Sequence, residues 1–330
     1  MDSLSQAVLG ASIAAACAPR GQRRAALLAG AVLGTMPDLD VAIDYGDPVA
    51  NFTQHRGFSH SLIVLAPFSV LLWLAAKRLL APVRAAPGRW FAAIALTLMT
   101  HPILDAHTAY GTQLLWPLDV PPVMWSTLFI IDPLYTLPLL VGTIAVAFRP
   151  AGRVAGRLLQ AGLVLSTLYV GCSWIAKYSV GTHVEQTLAA TAQANSPVFT
   201  TPTPFNTLLW RVVVLTDDGY LEGFDSLLDG NDEVQFTAHR SETIELERAG
   251  DIAAVRRLRW FARDFVKASV DEDRLVLADL RMGQEPFYVF THVVATRGNP
   301  HWQAVTPEQI PLAVTDRALD ETWRRLRGVD

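Results

Sequence analysis

His101 and Asp105 stand four residues apart in "THPILDAHTAYG", straight after the apolar run "WFAAIALTLM". On a helix that spacing puts both side chains on one face, where an imidazole and a carboxylate can reach one ion. Groups of the same type recur nearby: Asp38 and Asp40 in "MPDLD", His55 and His60 in "HRGFSH", and Asp132 in "IIDPLY". His107 closes the "HPILDAH" run, and it and Asp132 join the set by position alone. Imidazole with carboxylate suits zinc, manganese or iron better than calcium, which prefers oxygen. Each group alone reads as a turn or a capped histidine. Together, at the ends of apolar segments where ionisable groups are expensive, they lead us to expect a divalent metal site.

The chemistry such a site would do is hydrolysis by metal-activated water. No Ser or Cys stands out as a nucleophile, and Ser59 or Ser61 reads as a helix cap. Asp40 is the candidate proton acceptor. Arg56 is either a phosphate ligand or a partner for the nearby aspartates. Two other readings stay open. One is a structural metal that clamps helices, with a C-terminal binding module. The other is a transporter with a His/Asp relay, disfavoured because the groups gather at one membrane face and transporter sites lie near the midplane.

The elements that must position these residues are apolar. The chain has 330 residues, 51% hydrophobic and 18% charged, with mean hydropathy +0.27; soluble domains carry about 25% charged residues. Long apolar runs concentrate in residues 1–180, whereas 198–330 has an ordinary soluble composition. The net charge of −4 offers no basic face for nucleic acid. Cys17 and Cys172 read as small core residues with no disulfide framework. The first residues carry no basic n-region, so they read as part of the fold and not as a cleaved signal.

Residues 7–17 and 25–35 predict short helices of roughly 16 Å each, too short to span alone; small residues allow them to pack closely. Longer candidates are 61–76, 90–106 with a kink at Pro102, 128–148 and 157–176. Basic residues alternate between the connections: Arg20, Arg23 and Arg24, then Lys77, Arg78, Arg84 and Arg89, then Arg149, Arg153 and Arg157. Segments 36–60 and 107–127 carry only Arg56. The positive-inside rule then makes the basic loops cytoplasmic. The metal site and the C-terminal domain are then expected on the non-cytoplasmic side of the membrane.

The expected fold is an α-helical membrane domain (1–180), a bundle with about four to six membrane helices, then a linker (181–206) and an α+β soluble domain (207–330). In the latter, 208–229 reads as a hairpin around Asp217-Asp218-Gly219, and 251–266 as a helix with Ile252, Val255, Leu258 and Ala262 on one face. Residues 274–282 and 287–296 read as strands, and 315–328 as a closing amphipathic helix.

The motifs "MDSLSQAVLGAS", "GTMPDLD", "HRGFSHSL" and "HPILDAHTAYGTQLLWP" together resemble the YdjM-type family of membrane-bound metal-dependent hydrolases, over residues 1–180. The order PDxD, HRxxxH, HxxxD is the specific part. The HxxxD element is also distantly similar to zinc phospholipase C and single-strand nucleases. The resemblance implies Asp38, Asp40, His55, His60, His101 and Asp105 as metal ligands. Zinc, or else manganese, is the expected ion; the position near the membrane interface suggests a membrane-lipid or lipid-linked substrate, and the distant similarity a phosphoester. Gln6 stands where many such sequences carry a histidine, and glutamine is a poor zinc ligand.

Overall fold

Three glycines let the first two helices meet almost backbone to backbone. Helix α1 (Ser3–Cys17) starts at Asp2, whose carboxylate accepts from the amides of Leu4 and Ser5. Helix α2 (Arg23–Thr35) follows a short 3₁₀ turn. A Cβ on Gly30 would lie 2.2 Å from the Gly10 carbonyl oxygen, and one on Gly34 would lie 2.5 Å from that of Gln6. The close-packed hairpin read from small residues is what forms. The computed structural model describes residues 1–228, 230 and 233–312; the expected helix at 315–328 lies outside them.

The chain continues through α3 (Pro48–Gln54), α4 (Leu62–Leu79), α5 (Ala81–Ala85), α6 (Pro87–Asp105), α7 (Pro133–Phe148) and α8 (Arg153–Leu188). Ser61 caps α4 by accepting from the Ile63 amide, and Asp132 caps α7 through the amides of Leu134 and Tyr135. Pro102 stays inside α6, so His101 and Asp105 share its last turn.

Two compact units result. The first comprises Met1–Ile43, His55–Ile175 and Pro204–Asn206. The second comprises Asp44–Gln54, Ala176–Thr203 and the described chain from Thr207. In the first unit the polarity of a soluble protein is inverted. Large apolar side chains such as Leu71, Leu137, Val141 and Leu168 are exposed, while Ser5, Ser12, Thr97 and Ser166 are buried. Buried hydroxyls tie the helices: Ser5 with Thr136 at 2.6 Å, Ser12 with Thr143 at 2.8 Å, and Ser166 donating to the Tyr135 carbonyl at 2.6 Å. An apolar exterior over a hydroxyl-bonded interior fits helices that meet lipid. Among the described residues, α4 and α8 are long and apolar enough to cross a membrane; α1 and α7 are apolar but shorter.

The basic connections gather at one end of this unit. Arg23 donates to the Pro150 carbonyl, Arg24 to those of Ala147 and Phe148, and Arg89 to that of Cys17. The metal-ligand candidates lie at the other ends of α2 and α6.

The second unit is α+β. Strands β1 (Val198–Pro202), β2 (Leu209–Thr216), β3 (Gly219–Ser226) and β4 (Phe236–Arg240) form an antiparallel meander in that order. The hairpin at Asp217-Asp218 joins β2 and β3, as its turn chemistry predicts. After α9 (Thr243–Arg248) and α10 (Ala253–Ala262), strands β5 (Val266–Asp271), β6 (Arg274–Asp279), β9 (Thr291–Thr296) and β10 (Gln303–Ile310) make a second sheet, ordered β10-β9-β6-β5. The short ribbon β7 (Gly283–Gln284) and β8 (Phe287–Tyr288) lies between them in sequence. Val255, Leu258 and Ala262 are buried as the helical face predicts.

Residues 181–206, expected as linker, carry the last two turns of α8 and the edge strand β1. The reason is a stripe every fourth residue on α8, Ala176, Val180, Val184 and Leu188, which packs on Trp210, Val212 and Val214. The Thr- and Ser-rich composition hides this apolar face.

Candidate metal centre

Local sequence folds two turns towards the end of α6. Pro37 opens a 3₁₀ turn (Pro37–Ala42) that carries Asp38 and Asp40. A second (Phe58–His60) ends at His60. Between them Arg56 holds a positive φ of 61°, an uncommon conformation for a residue with a Cβ. Its amide donates to Asp40 Oδ2 at 3.0 Å, and its carbonyl accepts from Gln113.

Four side chains converge. His60 Nε2 and His101 Nε2 are 3.0 Å apart. Asp38 Oδ1 is 3.3 Å from the first and 3.4 Å from the second; Asp105 Oδ2 is 3.1 Å and 3.3 Å from them. All four donor atoms lie within 4.8 Å of one another. His60, His101 and Asp105 are fully buried, whereas the Asp38 side chain is 19% exposed. A tetrahedral ion with ligands at ~2.0–2.1 Å requires ligand–ligand edges of roughly 3.3 Å. The residues therefore fit a metal of zinc size.

The outer contacts decide what the two imidazoles present. His101 Nδ1 lies 2.6 Å from the Gly34 carbonyl, which can only accept, so this nitrogen carries hydrogen. Ser59 Oγ donates to Asp40 Oδ2 at 2.6 Å and so accepts from His60 Nδ1, 2.9 Å away. In the neutral rings both Nε2 atoms are then bare. Two bare nitrogens face two carboxylates, and Asp105 Oδ2 has no hydrogen-bond partner. Such a concentration of buried acceptors calls for a cation.

The remaining predicted residues take other places. Asp40 lies beside the four and not among them. Its oxygens accept from the Arg56 amide and Ser59 and bond His55 Nδ1 at 2.8 Å. His55 is one shell out, with a fifth of its side chain exposed. Arg56 was expected to reach outward to a phosphate or to pair with aspartates, and the second placement is found. Its buried guanidinium is 3.3 Å from Asp105 Oδ1, donates to Thr108 Oγ1 and lies over the Tyr110 ring. His107 is apart, bonded to the Ile103 carbonyl and packed on Trp125 and Trp174. Asp132 serves as the α7 cap and accepts from the Tyr169 hydroxyl. Gln6 acts as a donor, its Nε2 3.1 Å from both the His101 carbonyl and Asp105 Oδ1. The Met1 backbone amine also contacts Asp105 Oδ1.

Burial opposes ionisation of Asp40, but hydrogen bonds outweigh it: those from His55 and Ser59 hold its carboxyl below the usual range. Ser59 and the Gly34 carbonyl were missed as positioning groups. Ser59 left a signal, being a hydroxyl beside His60; a backbone carbonyl leaves none.

A family model described as YdjM inner membrane protein matches residues 1–180. The chain belongs to this family. That match contains every residue of the four-ligand group, and it ends inside α8. Inner membrane protein YbcI of Escherichia coli (strain K12), a relative in the same family, is 33% identical over 94 residues. The aligned part is 28% of this chain and 53% of YbcI, so the chain spans about half of that relative. No solved structure matches the chain. The protein is thus a YdjM-family membrane protein with a His/Asp group able to hold a metal.

Proposed function

We propose that this protein is a membrane-bound metal-dependent hydrolase acting on an ester or phosphoester, with a lipid or lipid-linked compound as substrate. The observation that carries the reading is the set of four acceptor atoms at metal-ligand spacing, three of them on buried residues and two of them imidazole nitrogens left bare by their outer hydrogen bonds. Asp38, His60, His101 and Asp105 hold the ion, zinc before manganese. When bound, it supplies polarisation of a substrate oxygen and a lowered pKa of water. Asp38 is the ligand on the open side. His55, oriented by Asp40, is placed to take the proton. Arg56 and Gln6 hold Asp105 in its rotamer. The basic loops at the opposite end support an orientation with the site on the non-cytoplasmic side.

Elemental analysis of detergent-purified protein tests this, beside H101A/D105A. One ion per chain, lost in the double variant, together with metal-dependent turnover in an ester and phosphoester screen, is expected. Wild type without metal after reconstitution would sink the proposal. A second reading rests on one observation: four protein ligands already complete a tetrahedron, as in closed structural sites. It predicts tight metal and no turnover on any substrate offered.

A further inference from the structure

At the end of the first unit remote from the metal centre, four arginines share one cavity. Arg23 opens α2, and Gly34, whose carbonyl holds His101, lies eleven residues on, roughly 17 Å along the helix. The cavity measures about 220 Å³ and is lined by Arg20, Arg23, Arg153, Arg157, Gly156 and Gln160 among others, with no acid in its wall. None of the four arginines has an ion-pair partner among the described residues. Arg23 is nine-tenths buried; its Nη1 donates to the Pro150 carbonyl at 3.2 Å, and its Nε has no partner. The guanidinium rests against Gly156, where a Cβ would be 2.9 Å from Nη1 and would displace it.

A buried guanidinium with an idle donor is costly, and three like charges around it raise the cost. The first residues of α2 and α8, Arg23 and Arg153, both border the cavity, so two helix N-termini add partial positive charge. An anion with several acceptor oxygens would answer all of these at once. Arginine forks match phosphate geometry in particular. We propose that this cavity binds one phosphate group, either the headgroup of an anionic phospholipid or phosphate free in solution. The exposed Val154 and Leu158 beside Arg153 and Arg157 offer an apolar surface on which acyl chains could lie. This site is separate from the metal centre and does not depend on the hydrolase reading.

The full-length protein in neutral detergent is offered equal amounts of phosphatidylglycerol and phosphatidylcholine, and retained lipid is counted by native mass spectrometry. Equilibrium dialysis against radiolabelled inorganic phosphate runs in parallel. One phosphatidylglycerol retained in preference to phosphatidylcholine identifies the lipid source. Binding of inorganic phosphate without lipid retention identifies the soluble one. In either case R153Q/R157Q, at exposed positions, should weaken binding roughly thirty-fold, at about 1 kcal/mol per arginine. R78Q/R84Q removes equal charge from the same end outside the cavity and should leave binding unchanged. Size-exclusion profiles check that both variants stay folded. The proposal is overturned if neither probe binds, or if both pairs of substitutions weaken binding equally.

Discussion

A hydroxyl decides which nitrogen His60 turns to the centre. Ser59 gives its hydrogen to Asp40 and takes one from His60, leaving Nε2 free for an ion. Removing such an outer partner costs a metal site about 10–100-fold in affinity. Ser59→Ala should therefore bind zinc more weakly by that factor in a chelator competition, with the fold intact. Affinity equal to wild type would mean that packing alone orients the ring. At this scale the ligand types were legible in the sequence because His and Asp are rare in apolar segments. The number of ligands was not. Asp40 and His55 share the motif with Asp38 and His60, but in the fold they bond to each other beside the inner four.

Helix α2 links the centre to the hairpin glycines, because its end supplies the carbonyl that holds His101. A methyl group on Gly30 would sit within 2.6 Å of the Ala14 Cβ as well as against the Gly10 carbonyl. Neither can retreat without moving α1. Overpacking of this kind costs about 1–3 kcal/mol. Gly30→Ala should lower the thermal midpoint of the detergent-solubilised protein and shed metal at lower chelator concentration. Ala at exposed Gly171, also within a helix but with open space around it, should do neither. Helix existence was readable here from apolar runs, and the start of α4 from Ser61; the caps Asp2 and Asp132 were not read as such, and α1 and α7 start at Ser3 and Pro133 instead of at 7 and 128. The length of α8 was not, because its last turns are held by a four-residue stripe against a sheet far along the chain. A window of sequence cannot contain that partner.

For the molecule as a whole, the second unit carries its own pH response. His292 is fully buried, and neither ring nitrogen has a hydrogen-bond partner. It stacks near Phe52 of α3, with Asp279 and Asp47 the charges that act on it. Burial lowers its pKa from 6.5 to about 4, against those two aspartates. Because the folded value is the lower one, the stability is fully present above about pH 6.5. It is lost as pH falls towards 4, by about 3 kcal/mol in all. Limited proteolysis of the purified full-length chain across this window should show the second unit loosening. His292→Phe should flatten that dependence, and an unchanged profile would assign it to other groups. The change from an apolar helical part to a β-rich part was legible from composition, but not that Asp44–Gln54 folds with the second unit. Its contacts, Phe52 with Phe261 and Phe290 and Arg257 donating to Thr53, all come from distant sequence.

That docking has a consequence for how the protein is made. Thr53 and Arg257 are 204 positions apart. A ribosome adding ~5–20 residues per second takes roughly 10–40 s to cover the interval. Through that time the turns bearing Asp38 and His60 have emerged, yet the segment between them lacks the surface it finally rests on. Folding of Asp44–Gln54 is then a late event in biogenesis, set by completion of the C-terminal unit and not by insertion of the helices.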